Sequence, residues 1–162
     1  MTVSANVQSV VLSAGDTAPD FTAQATDGSL IGLQDFKGNS NVILWFYPED
    51  MTGGCTVEAR HFRDDKSKYD EASTVILGVS LDDRAKHEAF TTKESLNYQL
   101  LIDSDAKICN DYGVPIDWEH RQPYRWSFLI DKSGKIVKVY HNVHPKVHSE
   151  EVLADIAANN LA

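Results

Sequence analysis

The sequence predicts an α/β chain, a three-layer sandwich on a central mixed sheet with an N-terminal β-hairpin extension. Three observations lead there. Val42–Tyr47 is an unbroken apolar run, as expected of a central strand covered on both faces. A helical stretch follows, then a second buried strand, Thr74–Leu81, rich in β-branched residues; this is the order of a parallel pair joined by a crossover helix. Later, Arg125–Ile130 and Lys135–Tyr140 face each other across Lys132-Ser133-Gly134 as a hairpin, and a last helix closes the chain.

Each element has its own signal. Asp20–Ala25 and Leu30–Leu33 flank an Asp27-Gly28 turn, which marks the N-terminal hairpin. After the turn-forming Pro48–Gly54, a helix is expected over Thr56–Tyr69, with Cys55 in its first turn and Cys55, Ala59, Phe62 and Tyr69 on one face. Asp82 is the expected cap of a helix running to about Leu96, with Ala85, Ala89 and Leu96 inward. Ser104–Tyr112 reads as a short helix ended by Gly113. Ser149 is the expected cap of the final helix, whose first turn holds Glu150 and Glu151.

The 162 residues read as a single domain over 1–162, with a loose N-terminal segment over 1–14. A net charge of -9 argues against nucleic acid or an anionic membrane as partner, since either wants a basic face. Two cysteines do not make a disulfide framework. Met1–Gly15 has neither a basic n-region nor a continuous apolar h-region, and no apolar run reaches transmembrane length. The expectation is a cytoplasmic protein with reduced thiols, a monomer or weak dimer.

Cys55 carries the chemistry. The unsatisfied N–H groups of a helix start, and the dipole behind them, favour thiolate over thiol, so this sulfur is expected to ionise easily. Ionisation alone is not enough. A free cysteine is about 3% thiolate at neutral pH, so full ionisation gains at most roughly 30-fold. Most of any acceleration must come from donors that stabilise charge on a leaving atom.

Here the residues resemble a known family. Pro48, Thr52 and Cys55 fit the Pro-x-x-x-Thr-x-x-Cys motif of peroxiredoxins. Gly15–Phe21, Asp35-Phe36-Lys37-Gly38, Phe62-Arg63-Asp64, Gly78-Val79-Ser80, Tyr112-Gly113-Val114 and Arg125–Asp131 are similar to its bacterioferritin-comigratory, or peroxiredoxin Q, branch. The likeness runs from about Gly15 to Leu153. It implies a thioredoxin-like fold and a thiol peroxidase, with peroxide as substrate and Cys55 as the peroxidatic residue. The implied helpers are Thr52 beside the sulfur, Arg125 as a fixed positive charge and Pro48 as a shield against water; Glu58, one helical turn after Cys55, opposes ionisation if alone and orients the guanidinium if paired with Arg125. No cofactor and no metal is implied.

Two departures stand out. Many relatives carry a resolving cysteine five residues after the first; here that position is Arg60. Gly53 stands where the family often has proline. The other thiol, Cys109, falls on the apolar side of a short helix, where core packing is favoured over a resolving role. A one-cysteine cycle follows, in which Cys55 sulfenic acid is regenerated by an external thiol: thioredoxin, glutaredoxin or a low-molecular-weight thiol. His141, His144 and His148 read as solvated surface residues rather than metal ligands, and His61 and His120 carry no signal. Trp118, Tyr124 and Trp126 are expected near the pocket mouth. The competing readings are a thioredoxin-like disulfide reductase, for which Cys55-Thr56-Val57-Glu58 lacks the second cysteine, and a non-enzymatic redox-sensing or chaperone module.

Overall fold

The computed structural model describes residues 10–162, so most of the segment expected to be loose lies outside the described residues. A five-stranded sheet, in the order β5-β4-β3-β8-β9, forms the middle layer. Its strands are β3 (Asn41–Phe46), β4 (Thr74–Ser80), β5 (Gln99–Ile102), β8 (Ser127–Ile130) and β9 (Ile136–Tyr140). β3, β4 and β5 run parallel, while β8 and β9 are antiparallel to their neighbours. The expected mixed sheet and N-terminal hairpin are both present, the hairpin as β1 (Thr22–Gln24) and β2 (Leu30–Gly32).

Alternation along β3 divides the core in two. Val42, Leu44 and Phe46 join one apolar cluster, with Phe21, Ala25, Ile108, Cys109 and Tyr112. Ile43, Trp45 and Tyr47 join the other, with Cys55, Ala59, Phe62, Phe90 and Val152. The hairpin and α4 (Lys107–Asp111) therefore cover one face of the sheet. The other is covered by α1 (Gly53–Asp64), α2 (Lys66–Glu71), α3 (Arg84–Glu94) and α5 (His148–Ala158). Among the described residues no helix is long and apolar enough to cross a membrane.

Several expected details are corrected. The helix after Cys55 breaks at Asp65 into α1 and α2. Asp83, not Asp82, caps α3, its carboxylate accepting the Lys86 N–H at 2.9 Å. Ala85 and Ala89 are exposed, and the inward face is His87, Phe90 and Glu94. The short helix begins only at Lys107. Ser149 lies inside α5 rather than capping it, because its hydroxyl is taken by Asp65 at 2.7 Å and its carbonyl by the Tyr69 hydroxyl at 2.9 Å. His148 is fully buried, its Nε2 2.8 Å from the Ser127 hydroxyl, so it is not a solvated histidine; His141 and His144 are exposed. The small hairpin β6 (Ile116–Asp117) and β7 (Gln122–Pro123) carries Trp118, which is half exposed and stacks under Arg121 instead of lining the hollow beside Arg125.

Candidate active site

Cys55 sits at the third position of α1, fully buried in the aromatic cluster of Trp45, Tyr47 and Phe62. Thr52 is the residue before the helix, yet its side chain makes no cap bond. Its hydroxyl turns back to donate to the Glu49 carbonyl at 2.8 Å, which closes the β3–α1 loop on itself. The N–H groups of Gly53, Gly54 and Cys55 are consequently left without a side-chain cap, on the side where Cys55 lies.

Arg125, just before β8, reaches across to this helix. Its Nη1 donates to Glu58 Oε1 at 2.8 Å, and Glu58 is 0% exposed with its second oxygen unpartnered. Burial pushes the Glu58 carboxyl up to about 7, against the pull of Arg125. Burial also works against the charge on Arg125, but Cys55 and Glu58 together outweigh it and hold the guanidinium protonated.

The sulfur is under opposing influences. Burial is the largest and raises the thiol above its ordinary value; Arg125, the Glu49 N–H and the Thr52 hydroxyl pull it down. Burial therefore opposes the easy ionisation expected from the helix start. Thr52 has one hydroxyl proton, and it is on Glu49; to serve a thiolate the hydroxyl must rotate.

Gly54 shows how closely Arg125 is packed. A Cβ at Gly54 would lie 2.9 Å from Arg125 Nη2, and Glu58 leaves that guanidinium little freedom to yield. Gly54→Ala is expected to push Arg125 off the sulfur and raise the Cys55 thiol further, since Arg125 is the strongest of the lowering influences. Ultraviolet titration of the thiolate checks this, and an unchanged titration contradicts it.

Beside Arg125, a hollow of about 370 Å³ is lined by Tyr124, Trp126, His141, Val143 and His144. A second, apolar recess of about 300 Å³ is formed by Gly53, Gly54, Val57, His144 and Pro145. Pro48 is half-buried in the β3–α1 loop. The structure thus brings Thr52, Cys55, Glu58 and Arg125 to one place, with Pro48 in the loop that leads into it. Cys109 is not there: it lies in the core on the opposite face of the sheet. Its thiol is raised strongly by burial and by the adjacent Asp103 carboxylate. Sequence reasoning gives no sign of the pair Asp50 and His87 that anchors the loop.

The chain matches the AhpC/TSA family over residues 14–139. It is 40% identical over 143 residues to the chloroplastic peroxiredoxin Q of Triticum aestivum, covering 88% of this chain and 65% of that protein. The chain thus spans just under two thirds of the length of such plant relatives. Peroxiredoxin Bcp of Bacillus subtilis is 37% identical over 147 residues, 86% of this chain and 91% of that one. Among solved structures, peroxidoxin BcpB from Mycobacterium tuberculosis superposes with a TM-score of 0.85 at 30% identity, over 91% of this chain and 98% of the other. A peroxiredoxin Q variant from Xylella fastidiosa gives 0.86 at 26% identity, over 93% and 99%. Likeness of this extent, in sequence and in backbone, shows that the chain belongs to the AhpC/TSA family, in its peroxiredoxin Q and Bcp branch.

Proposed function

We propose that the chain is a thiol peroxidase that reduces hydrogen peroxide and organic hydroperoxides through Cys55. The observation that carries this is geometric: a buried Cys55 in the first turn of α1, Thr52 just before that helix, and Arg125 packed against Gly54 and bound to Glu58 of the same helix. The thiolate attacks one peroxide oxygen, the O–O bond breaks, and the sulfur is oxidised to sulfenic acid. The other oxygen leaves as hydroxide or alkoxide and takes up the proton that the thiol gave. Arg125 and the open N–H groups of the first helical turn are placed to stabilise charge on that leaving oxygen, where donors count most. Burial of the resting thiol works against this scheme and the pull of Arg125 works for it, while most of the acceleration is assigned to positioning and to charge stabilisation on the leaving oxygen.

Regeneration is assigned to an external thiol, which condenses with the sulfenic acid, releasing water; a second thiol then frees Cys55 as thiolate. Arg60 stands where a nearby resolving thiol would be, and Cys109 is across the sheet, which supports a one-cysteine cycle. The same separation speaks against disulfide-reductase chemistry, which needs two thiols in reach of each other. The proposed setting is the cytoplasm, where such thiols are available, with the chain a monomer or weak dimer.

One equivalent of hydrogen peroxide with a sulfenic-acid trap is expected to label Cys55 and leave Cys109 free, read by peptide mass spectrometry. A Cys55–Cys109 disulfide overturns the one-cysteine cycle. Oxidation of Cys55 no faster than a small-molecule thiol overturns the peroxidase.

A further inference from the structure

The loop that carries the partners of the sulfur is itself fixed by a buried pair to which the chemistry above gives no role. Asp50 is 2% exposed. Its Oδ1 accepts the Tyr47 hydroxyl at 2.6 Å, its Oδ2 lies 2.6 Å from His87 Nδ1, and its N–H donates to Asp82 Oδ2 at 2.8 Å. His87, fully buried on the inner face of α3, places Nε2 2.9 Å from the Leu101 carbonyl of β5. A carbonyl only accepts, so Nε2 carries a proton, and a second proton is shared between Nδ1 and Asp50.

The surroundings reinforce the pair. Ser80 donates to Asp82 at 2.6 Å, and Lys86 bridges Asp82 and Glu49 at 2.9 and 2.7 Å. Gln122 donates to the other Glu49 oxygen at 2.9 Å. Glu49 and Asp50 are therefore held from β4, α3 and β7 at once. On the other side, the Glu49 carbonyl takes the hydroxyl of Thr52, the residue that leads into α1 and Cys55. Between them Met51 is held at φ 68, a left-handed conformation that a side chain adopts only when its neighbours impose it.

We propose that the Asp50–His87 pair is a positioning device, holding the Glu49–Thr52 turn in the shape that sets Thr52 and the start of α1 beside Cys55. It acts through those groups and touches neither sulfur nor substrate. The donor atoms of Asp50, Asp82 and His87 lie within 4.8 Å of one another, a spacing that also suits a cation. Here, however, Tyr47, Ser80 and the Lys86 ammonium already occupy them, so the cluster is completed by protein.

The inference rests on the peroxidase reading for its rate arm, but not for its thiol arm. His87→Leu removes both ring contacts. Asp50→Asn keeps the shape: its amide donates to Nδ1 of a neutral His87 whose Nε2–H still meets Leu101, and its oxygen still accepts from Tyr47. Tyr47→Phe deletes one bond to Asp50 with little change in volume and serves if His87→Leu does not fold. His87→Leu is expected to slow Cys55 oxidation by hydrogen peroxide by roughly 10–100-fold, as misplacement of a site by about an ångström does. It should also raise the Cys55 thiol titration, while Tyr47→Phe moves both the same way by less and Asp50→Asn stays near wild type in both. A merely structural pair lowers the urea midpoint and leaves the folded protein's rate and titration alone; that result overturns the inference. A wild type that does not react with peroxide sinks the peroxidase reading, and the thiol titration still decides this one.

Discussion

Arg125→Met is expected to slow the reaction of Cys55 with peroxide by about 10²–10³-fold, the usual loss when a donor to a developing oxyanion is removed. The same substitution strips Glu58 of its cation. Removing one member of a buried pair commonly costs ~3–5 kcal/mol. The cost should be smaller here, because the Glu58 carboxyl is already pushed up to about 7 and relieves itself by taking a proton. The pH dependence has a definite sign. A carboxyl raised in the folded state holds more protons folded than unfolded, so stability falls as pH climbs from its ordinary value of 4.5 through the folded value. Without Arg125, its one lowering influence, that window extends upward, and the variant loses more stability at about pH 8 than at about pH 6. Urea denaturation at the two pH values tests this. Arg125→Met with Glu58→Gln should recover the stability lost at high pH and none of the peroxide rate. Recovery of both would mean that Arg125 serves only to neutralise Glu58.

Replacing the two cysteines should give opposite outcomes. Cys55→Ser is expected to abolish peroxide consumption, because a serine hydroxyl neither ionises there nor attacks an O–O bond. Cys109→Ala should retain consumption with a generic dithiol while losing on the order of 1–2 kcal/mol, the effect of a small buried truncation. Peroxide assays and denaturation curves on the same preparations separate the two effects. A Cys109→Ala protein that oxidises once and then stalls would make Cys109 a resolving residue after all, by way of local unfolding.

What could be read from the residues follows from how locally each signal is written. The hairpin at Asp27-Gly28, the apolar β3 and the grouping of Pro48, Thr52 and Cys55 are short-range patterns, and they are where the sequence places them. The inward face of α3 is hidden in the sequence because its buried positions are a histidine, a phenylalanine and a glutamate, and polarity masks the stripe. Ser149 looked like a cap because serine before Glu150 and Glu151 fits that role; Asp65 and Tyr69, some 80 residues away, claim it instead. β5 is four residues long and passed unnoticed. The Asp50–His87 contact spans 37 residues and joins two polar residues that belong to no apolar stripe, so no periodicity reveals it.

The sheet that parts Cys55 from Cys109 has an outcome for how long the protein survives. Under the proposed cycle the sulfenic acid finds no escort within its own chain. Its lifetime is then set by whatever thiols diffuse in, and a second oxidant molecule competes in the same race. When reductant runs short, the sulfur proceeds to sulfinic acid and stays there. Endurance under oxidative load thus belongs to the surroundings more than to the fold.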